Sequence, residues 1–253
     1  MVPAALLATA ALGTLGGCGR VVEGRAEQAV NAILPQYLGP ADRWSSRVGG
    51  RPDAMLRGRL RSVHVEGDNV RLAPGLVVGK LTLDLRDVSV DRKAGTLEDV
   101  GATRFSALLG ERALNDYVRR QRTDVRDLRV SLGKDARLTV RARPELLGYP
   151  TLPVEVRGTL KPRGIAGGTT LDFVPDRARL SILPIPLFVA EHVAARLNPV
   201  VDLSGLPVPI LVERADVTEG TLTLTGSVPS DAILDAADAA IAAAEQRRRT
   251  TAP

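Results

Sequence analysis

Residues 177–228 of the chain read RARLSILPIPLFVAEHVAARLNPVVDLSGLPVPILVERADVTEGTLTLTGSV. The apolar and polar residues alternate over 179–182, which is typical of a half-buried strand. Pro184 and Pro186 end that strand, and the following pattern predicts a helix from Leu187 to Leu197. A hairpin with its turn at Glu219-Gly220 follows a short apolar link. The stretch therefore predicts a sheet that sends one helix across its apolar face and then continues.

The same two patterns recur through the rest of the chain. Further helices are predicted over 25–38, over 106–121 with Ser106 as its cap, and in an Ala-rich segment that begins at Ser230. Further strands are predicted over 56–66, 79–91, 128–132, 138–140, 152–160 and 169–174. The apolar residues of 79–91 change parity midway, so we expect a bulge near Arg86-Asp87. The pattern predicts an α+β fold, a long curled antiparallel β-sheet with three to four helices packed on its apolar face.

The composition excludes several classes of protein. The chain has 253 residues and a formal net charge of +5, and aromatic residues make up only 3%. Arginine greatly outnumbers lysine but is spread over nearly every predicted strand. A nucleic-acid binder would cluster its arginines and interleave aromatic residues for base stacking. We therefore expect no nucleic-acid partner.

The N-terminal residues predict export. Residues 1–17 contain an apolar run that is too short to span a bilayer but fits the core of a signal peptide. Leu15-Gly16-Gly17-Cys18 resembles the bacterial lipobox, in which cleavage occurs before a cysteine that is lipidated. Cys18 is the only cysteine, so no disulfide framework is expected. We expect a lipoprotein that is exported and anchored to the outer face of the bacterial plasma membrane, in the cell envelope.

No pattern in the sequence argues for catalysis. The only histidines are His64 and His192, and no metal-binding motif surrounds them. Ser204 lies near Asp202 and His192 in the sequence, but it lacks the turn motif of a serine nucleophile. Residues 75–80 hint at a phosphate loop, yet they enter a strand rather than a helix. We therefore expect a protein that is not an enzyme and that uses no metal or cofactor.

The order of three motifs resembles a known family. The first is the glycine-bounded run Gly58–Gly67, and the second is Leu114-Asn115-Asp116-Tyr117 within a predicted helix. The third is the sequence LNPVVDLSGLP at 197–207, followed by the hairpin. Together they resemble the LmeA-like phospholipid-binding family of bacterial cell-envelope proteins. The resemblance implies an elongated, TULIP-like fold that holds phospholipid in an apolar groove, with a role in handling envelope lipids or glycolipids.

These observations lead to one assignment of domains, site and partners. We expect a signal peptide with a lipobox over 1–17, a lipid-binding α+β domain over 18–228, and a C-terminal Ala-rich helix with a polar tail over 229–253. Cys18 is the predicted lipidation site. The predicted lipid-binding residues are Phe188, Val189, Val193, Leu197, Leu203, Leu206 and Val208. The expected partners are a phospholipid or glycolipid and the membrane surface, the latter through the lipid anchor.

Two functions remain open at this point. One is a lipid carrier, or an accessory of envelope glycolipid assembly, which holds an acyl chain between its sheet and its helices. The other is a non-enzymatic structural or adaptor lipoprotein whose apolar faces form a filled core. Small residues such as Ala190, Ala194 and Ala195 leave room beside the sheet, which either lipid or closer packing must fill.

Overall fold

The structure is a computed structural model. It describes residues 24, 27–28, 30–31, 34–35, 38–91, 96–123, 125–143, 145–146, 149–150, 153–180, 183–184, 186–206 and 208–239. The signal peptide, Cys18 and the polar tail predicted from the sequence lie outside these residues. The described residues between 24 and 38 are helical, and residues 230–239 form a helix.

The chain alternates long strands with short helices. The strands are β1 Arg43–Gly49, β2 Arg59–Ala73, β3 Leu76–Asp91, β4 Thr96–Gly110, β5 Arg126–Leu132, β6 Leu138–Arg143, β7 Glu145–Leu146, β8 Tyr149–Pro150, β9 Val154–Ile165, β10 Gly168–Leu180, β11 Leu183–Pro184, β12 Val201–Asp202, β13 Leu211–Thr218 and β14 Thr221–Ser227. The helices are α1 Pro52–Met55, α2 Glu111–Gln121 and α3 Leu187–Leu197. The predicted helix over 187–197 and the predicted turn at Glu219-Gly220 are confirmed.

The fold is α+β and mostly antiparallel, as predicted, but two six-stranded sheets replace the single long sheet that we expected. The first sheet has the order β1-β2-β3-β4-β14-β13. The second has the order β11-β10-β9-β6-β5, with β12 also paired to β10, and β7 and β8 form a small separate sheet. Side chains of α2 bond to the backbone of β5, so the second sheet ends at a helix rather than continuing into another strand.

The chain divides into two compact units. The first contains the described residues up to Val70, together with Leu81–Phe105 and the described residues from Ser227 onward. The second contains Arg71–Lys80 and Ser106–Gly226. In the first unit, Trp44 lies opposite Gly67 in the β1–β2 pair, and its indole ring covers the space that a side chain at residue 67 would need.

The second unit is built around the second sheet. Its buried side chains come from alternate positions of the strands and from α2 and α3. They include Val130, Val140, Val156, Leu171 and Phe173, each no more than 1% exposed. The alternation that the sequence shows therefore marks the inner face of this sheet correctly.

One predicted helix begins later than we expected. Ser106 does not cap it, because β4 continues to Gly110 and α2 begins at Glu111. Phe105, Ala107 and Leu109 are buried while Leu108 is 41% exposed, which is the period of a strand. A helix that began at Ser106 would be expected to place Leu108 on its inward face, and this expectation is wrong.

The predicted change of parity in β3 is confirmed. Leu81 and Leu83 are buried in the first half of the strand and Val88 in the second. Asp87 lies between them with a φ of 52°, in the left-handed region that a regular strand does not use. The irregularity keeps apolar side chains on the buried side of the strand both before it, at Leu83, and after it, at Val88.

Candidate functional site

Helix α3 packs on β10 in the second unit through a face of small and medium apolar residues. Pro186 precedes its first residue, and Leu197 is its last. Ala190, Val193, Ala194 and Leu197 are all buried. The alanines let the helix approach the sheet closely, so the room that the sequence predicted beside the sheet is largely taken up by closer packing.

The chain that follows α3 is bonded along the free edge of β10. The Asn198 side chain accepts a hydrogen bond from the Phe173 N–H at 2.7 Å and donates one to the Phe173 carbonyl at 3.0 Å. The Val200 N–H donates to the Leu171 carbonyl at 2.8 Å. Strand β12 then pairs with Thr170 and Leu171. The segment 198–203 therefore completes the edge of the sheet and fixes the C-terminal end of α3.

Two side chains of the α2 region also hold this segment. The Arg122 guanidinium donates hydrogen bonds to the carbonyls of Leu197 and Pro199, at 3.2 and 3.0 Å. The Tyr117 hydroxyl accepts one from the Asp202 N–H at 3.3 Å. Burial raises the pKa of Tyr117 above its usual value, so the hydroxyl keeps its proton at neutral pH.

Asp202, in the motif LNPVVDLSGLP at 197–207, closes a turn. The Asp202 carboxylate accepts hydrogen bonds from the Ser204 hydroxyl at 2.6 Å and from the Ser204 N–H at 2.9 Å. These bonds from Ser204 lower the pKa of Asp202 below its usual range. The motif is therefore a structural turn that starts the return of the chain to β13.

The residues considered for catalysis do not form a catalytic group. Ser204 donates its hydroxyl proton to Asp202, and His192 makes no hydrogen bond to either residue. His64 lies in the first unit, where it contacts Asp84 at 2.6 Å and Glu66 at 3.3 Å. The hydrogen bond to Asp84 raises the pKa of His64. Among the described residues, no cluster of three or more His, Cys, Asp or Glu side chains could hold a metal ion.

A small pocket opens beside α3 in the second unit. It is lined by Val125, Leu128, Ala142, Arg143, Val193, Arg196 and Leu197. Its empty volume is about 320 Å³, much of it open to solvent, and its enclosed part has room for about one water molecule. The lining is apolar except for two guanidinium groups. Arg143 is bonded to Asp127 at 2.8 Å, whereas the exposed Arg196 makes no ion pair with a described residue.

The predicted lipid-binding residues fall into three groups. Val193 and Leu197 line this pocket. Leu203 is buried, while Val189, Leu206 and Val208 are half-buried and do not line the pocket. Phe188 is 64% exposed at the start of α3. The sequence reasoning missed Arg143 and Arg196, because arginines occur on so many strands that their spacing singles none out.

In this α+β fold of antiparallel sheets, the pocket beside α3 combines an apolar lining with two arginines. The family model described as LmeA-like phospholipid-binding matches residues 18–227, and the chain belongs to this family. The family supports the binding of lipid. No curated protein and no solved structure gives a significant match. In the part of the chain that the structure describes, no helix is long and apolar enough to span a bilayer.

Proposed function

We propose that the protein binds one acyl chain of a phospholipid or related glycolipid in the pocket beside α3. The observation that carries this proposal is the lining itself, in which five apolar residues lie beside Arg143 and Arg196. Apolar side chains favour the acyl chain, and a guanidinium group bonds a phosphate with paired donors. Arg196, which makes no ion pair with any residue that the structure describes, is the group best placed to take the phosphate.

The binding energy comes mainly from burial of the chain. Each methylene removed from water contributes about 0.8 kcal/mol, so five methylenes contribute about 4 kcal/mol. The enclosed part of the pocket is too small for them as it stands. We therefore propose that α3 shifts away from the strands behind the pocket when lipid enters, against the hydrogen bonds that hold its C-terminal end. Its small residues favour this motion, because Ala190 and Ala194 give up little packing area.

The wider role that we propose is that of a cell-envelope lipoprotein, exported and anchored through Cys18. It carries lipid or assists the assembly of envelope glycolipids. The alternative is a structural or adaptor lipoprotein, which the narrow enclosed part of the pocket favours. The two functions differ in one measurable property, the presence of bound lipid.

The first prediction is that the chain from residue 19 onward, purified without detergent, carries phospholipid. Organic extraction followed by mass spectrometry should recover it, and adding lipid back to stripped protein should raise the melting temperature, because the ligand binds only the folded state. Arg196→Glu should lower the amount of bound phospholipid about tenfold, since it replaces a charge-assisted hydrogen bond by repulsion.

The matched control is Arg112→Glu, the same change of charge on the exposed face of α2. It should leave the lipid content unchanged. An extract without lipid, together with no melting shift on adding phospholipid vesicles, would favour the adaptor. Equal loss of lipid in both variants would show that the effect is one of net charge and not of the pocket.

The second prediction concerns the anchor. Protein taken from its native membrane should begin at an acylated Cys18, because Leu15-Gly16-Gly17 precedes that cysteine in the manner of a lipobox. Intact-mass measurement gives both the start of the chain and the mass of the acyl groups. Cys18→Ser should leave a chain of full length without added mass. A wild-type chain that keeps the residues before Cys18 would contradict the prediction.

A further inference from the structure

One side of the second sheet carries five exposed arginines. Val140, Val156 and Ala178 are buried on the inner side, where α3 packs, so the residues between them point to the opposite side. One row of residues on that opposite side crosses four strands in register: Arg129, Arg141, Glu155 and Arg179. Arg157 and Arg177 lie opposite one another in the next row. We call the arginines of these two rows the arginine face: Arg129, Arg141, Arg157, Arg177 and Arg179.

Most of these guanidinium groups lack a carboxylate partner. Glu155 is bonded to Arg141 at 2.9 Å. The other four arginines of the face make no ion pair with any residue that the structure describes. Arg129 lies directly opposite Arg141, and Arg157 directly opposite Arg177. Like charges in such positions destabilise a sheet, and an anion held between two facing guanidinium groups would remove that repulsion.

The other end of the same side of the sheet has balanced charge. Lys161 lies opposite Asp172, and the Asp172 carboxylate is bonded to Arg163 at 2.7 Å. Thr159 and Val174 form an uncharged row between this end and the arginine face. Because the balanced end belongs to the same strands, β9 and β10, the arginines without partners are concentrated in one patch of this side rather than spread along it.

The arginine face extends in two dimensions, across the strands and along them. Neighbouring strands lie about 4.8 Å apart, so the row that crosses four strands spans about 14 Å. Such a patch fits a partner whose phosphates also form a layer, and each basic residue near an anionic lipid surface shifts the ratio of docked to undocked chains about fivefold. Proteins that bind nucleic acid usually add aromatic side chains for stacking or a helix that enters a groove. The arginine face carries neither.

We propose that the arginine face docks the second unit on a bilayer that contains anionic phospholipid, with its guanidinium groups bonded to headgroup phosphates. The lipid-binding family to which the chain belongs favours lipid phosphate over other polyanions. Helix α3, with the exposed Leu187 and Phe188, packs on the inner side of the sheet and therefore faces away from the docked bilayer. The proposal goes beyond lipid binding in the pocket, because the partner is a membrane surface and the residues differ.

Two tryptophan reporters in the full-length chain test which side of the sheet meets the membrane. Val174→Trp adds a reporter on the side of the arginine face, one row from Arg157 and Arg177, where Val174 is 38% exposed. Phe188→Trp is the matched reporter on the side of α3. The vesicles contain equal parts phosphatidylcholine and phosphatidylglycerol, with a nitroxide quencher on some phosphatidylcholine headgroups. We expect strong quenching at Val174→Trp, weak quenching at Phe188→Trp, and weak quenching of both in vesicles of phosphatidylcholine alone; Trp44 contributes the same background to both proteins.

The charges are tested in the Val174→Trp background. Arg157→Gln removes one charge and should lower the ratio of docked to undocked chains about fivefold. Arg157→Glu changes the charge by two units and should lower that ratio about thirtyfold. The second change places a glutamate opposite Arg177, so the melting temperature should stay the same or rise. A purely structural role for Arg157 would instead lower it.

The control is Arg112→Glu, the same change of charge on the exposed face of α2, which should leave the docked ratio unchanged. An equal loss in this variant, or quenching at Phe188→Trp as strong as at Val174→Trp, would overturn the proposal. Absence of quenching at Val174→Trp would also overturn it, and tight binding to duplex DNA would then assign the arginine face to nucleic acid. Lipid extraction from the same preparations reports on the pocket alone, so docking without bound lipid contradicts only the proposed function.

Discussion

Replacing Gly158 by alanine is expected to destabilise the second unit by about 3 kcal/mol, at the upper end of the usual cost of overpacking. A methyl group at residue 158 would collide with the carbonyl of Val174 and the ring of Phe173. Phe173 is 1% exposed, so its ring has no free space to move into. Urea unfolding followed by circular dichroism should give a lower midpoint with little change in slope.

Gly164→Ala is the matched control, because it lies on the same strand and nothing lies within 4 Å of where its methyl group would be. Its stability should change by less than about 0.5 kcal/mol. Equal midpoints for the two variants would mean that β9 and β10 do not approach one another as described. The register shift between Pro175 and Arg177, which brings the Val174 carbonyl near residue 158, would then be wrong.

Gly158 also shows how far the sequence can predict this fold. The alternation around it identifies a strand, and the alternate residues Val156 and Leu160 of this strand are buried, as the pattern requires. The alternation cannot show which strand lies opposite, since pairing depends on contacts that are distant in the sequence. The division into two sheets was missed for the same reason. The second sheet ends where polar side chains of α2 bond to the edge of β5. The spacing of apolar residues carries no information about such bonds.

The candidate site was predicted unevenly. Helix α3 was found with its correct bounds, because prolines flank it on both sides. Val193 and Leu197, two of the residues predicted to bind lipid, line the pocket because they face inward on that helix. Arg196 was not found, since an exposed arginine at the end of a helix is common and has no spacing of its own. Phe188 was predicted to touch lipid in a groove, whereas the structure places it on the outside, at the start of α3.

Two asparagines end the second sheet in the same way. Asn115 on α2 accepts a hydrogen bond from the Val130 N–H at 2.8 Å and donates to the Val130 carbonyl, the counterpart of what Asn198 does for Phe173. A side-chain amide has the donor and acceptor of a peptide group, so each takes the place of a neighbouring strand. A buried leucine precedes each asparagine, Leu114 in one case and Leu197 in the other. In this protein, the asparagine of a Leu-Asn pair in or next to a helix therefore bonds to a strand edge in place of a further strand.

We therefore expect replacement of each asparagine to lower the free energy of unfolding through the loss of its own pair of hydrogen bonds. Asn115→Ala leaves a buried N–H and a buried carbonyl of Val130 without partners, and we expect a loss of about 3 kcal/mol. Asn198→Ala does the same to Phe173, but its bonds are only partly buried. Water can replace them in part, and we expect a loss of about 2 kcal/mol. Asp116→Ala, at the position next to Asn115, should cost less than about 0.5 kcal/mol, because its ion pair with Arg119 is exposed.

Hydrogen exchange followed by mass spectrometry distinguishes a local effect from a general loss of stability. Asn198→Ala should increase exchange mainly in α3 and β10, and Asn115→Ala mainly in α2 and β5, because each asparagine joins only those two elements. If the pocket opens by movement of α3, Asn198→Ala should also speed the uptake of lipid by stripped protein, while Asn115→Ala should not. Uniform exchange along the second unit in both variants would show that it unfolds as one body. The amide bonds would then contribute stability without controlling the helix that forms the wall of the pocket.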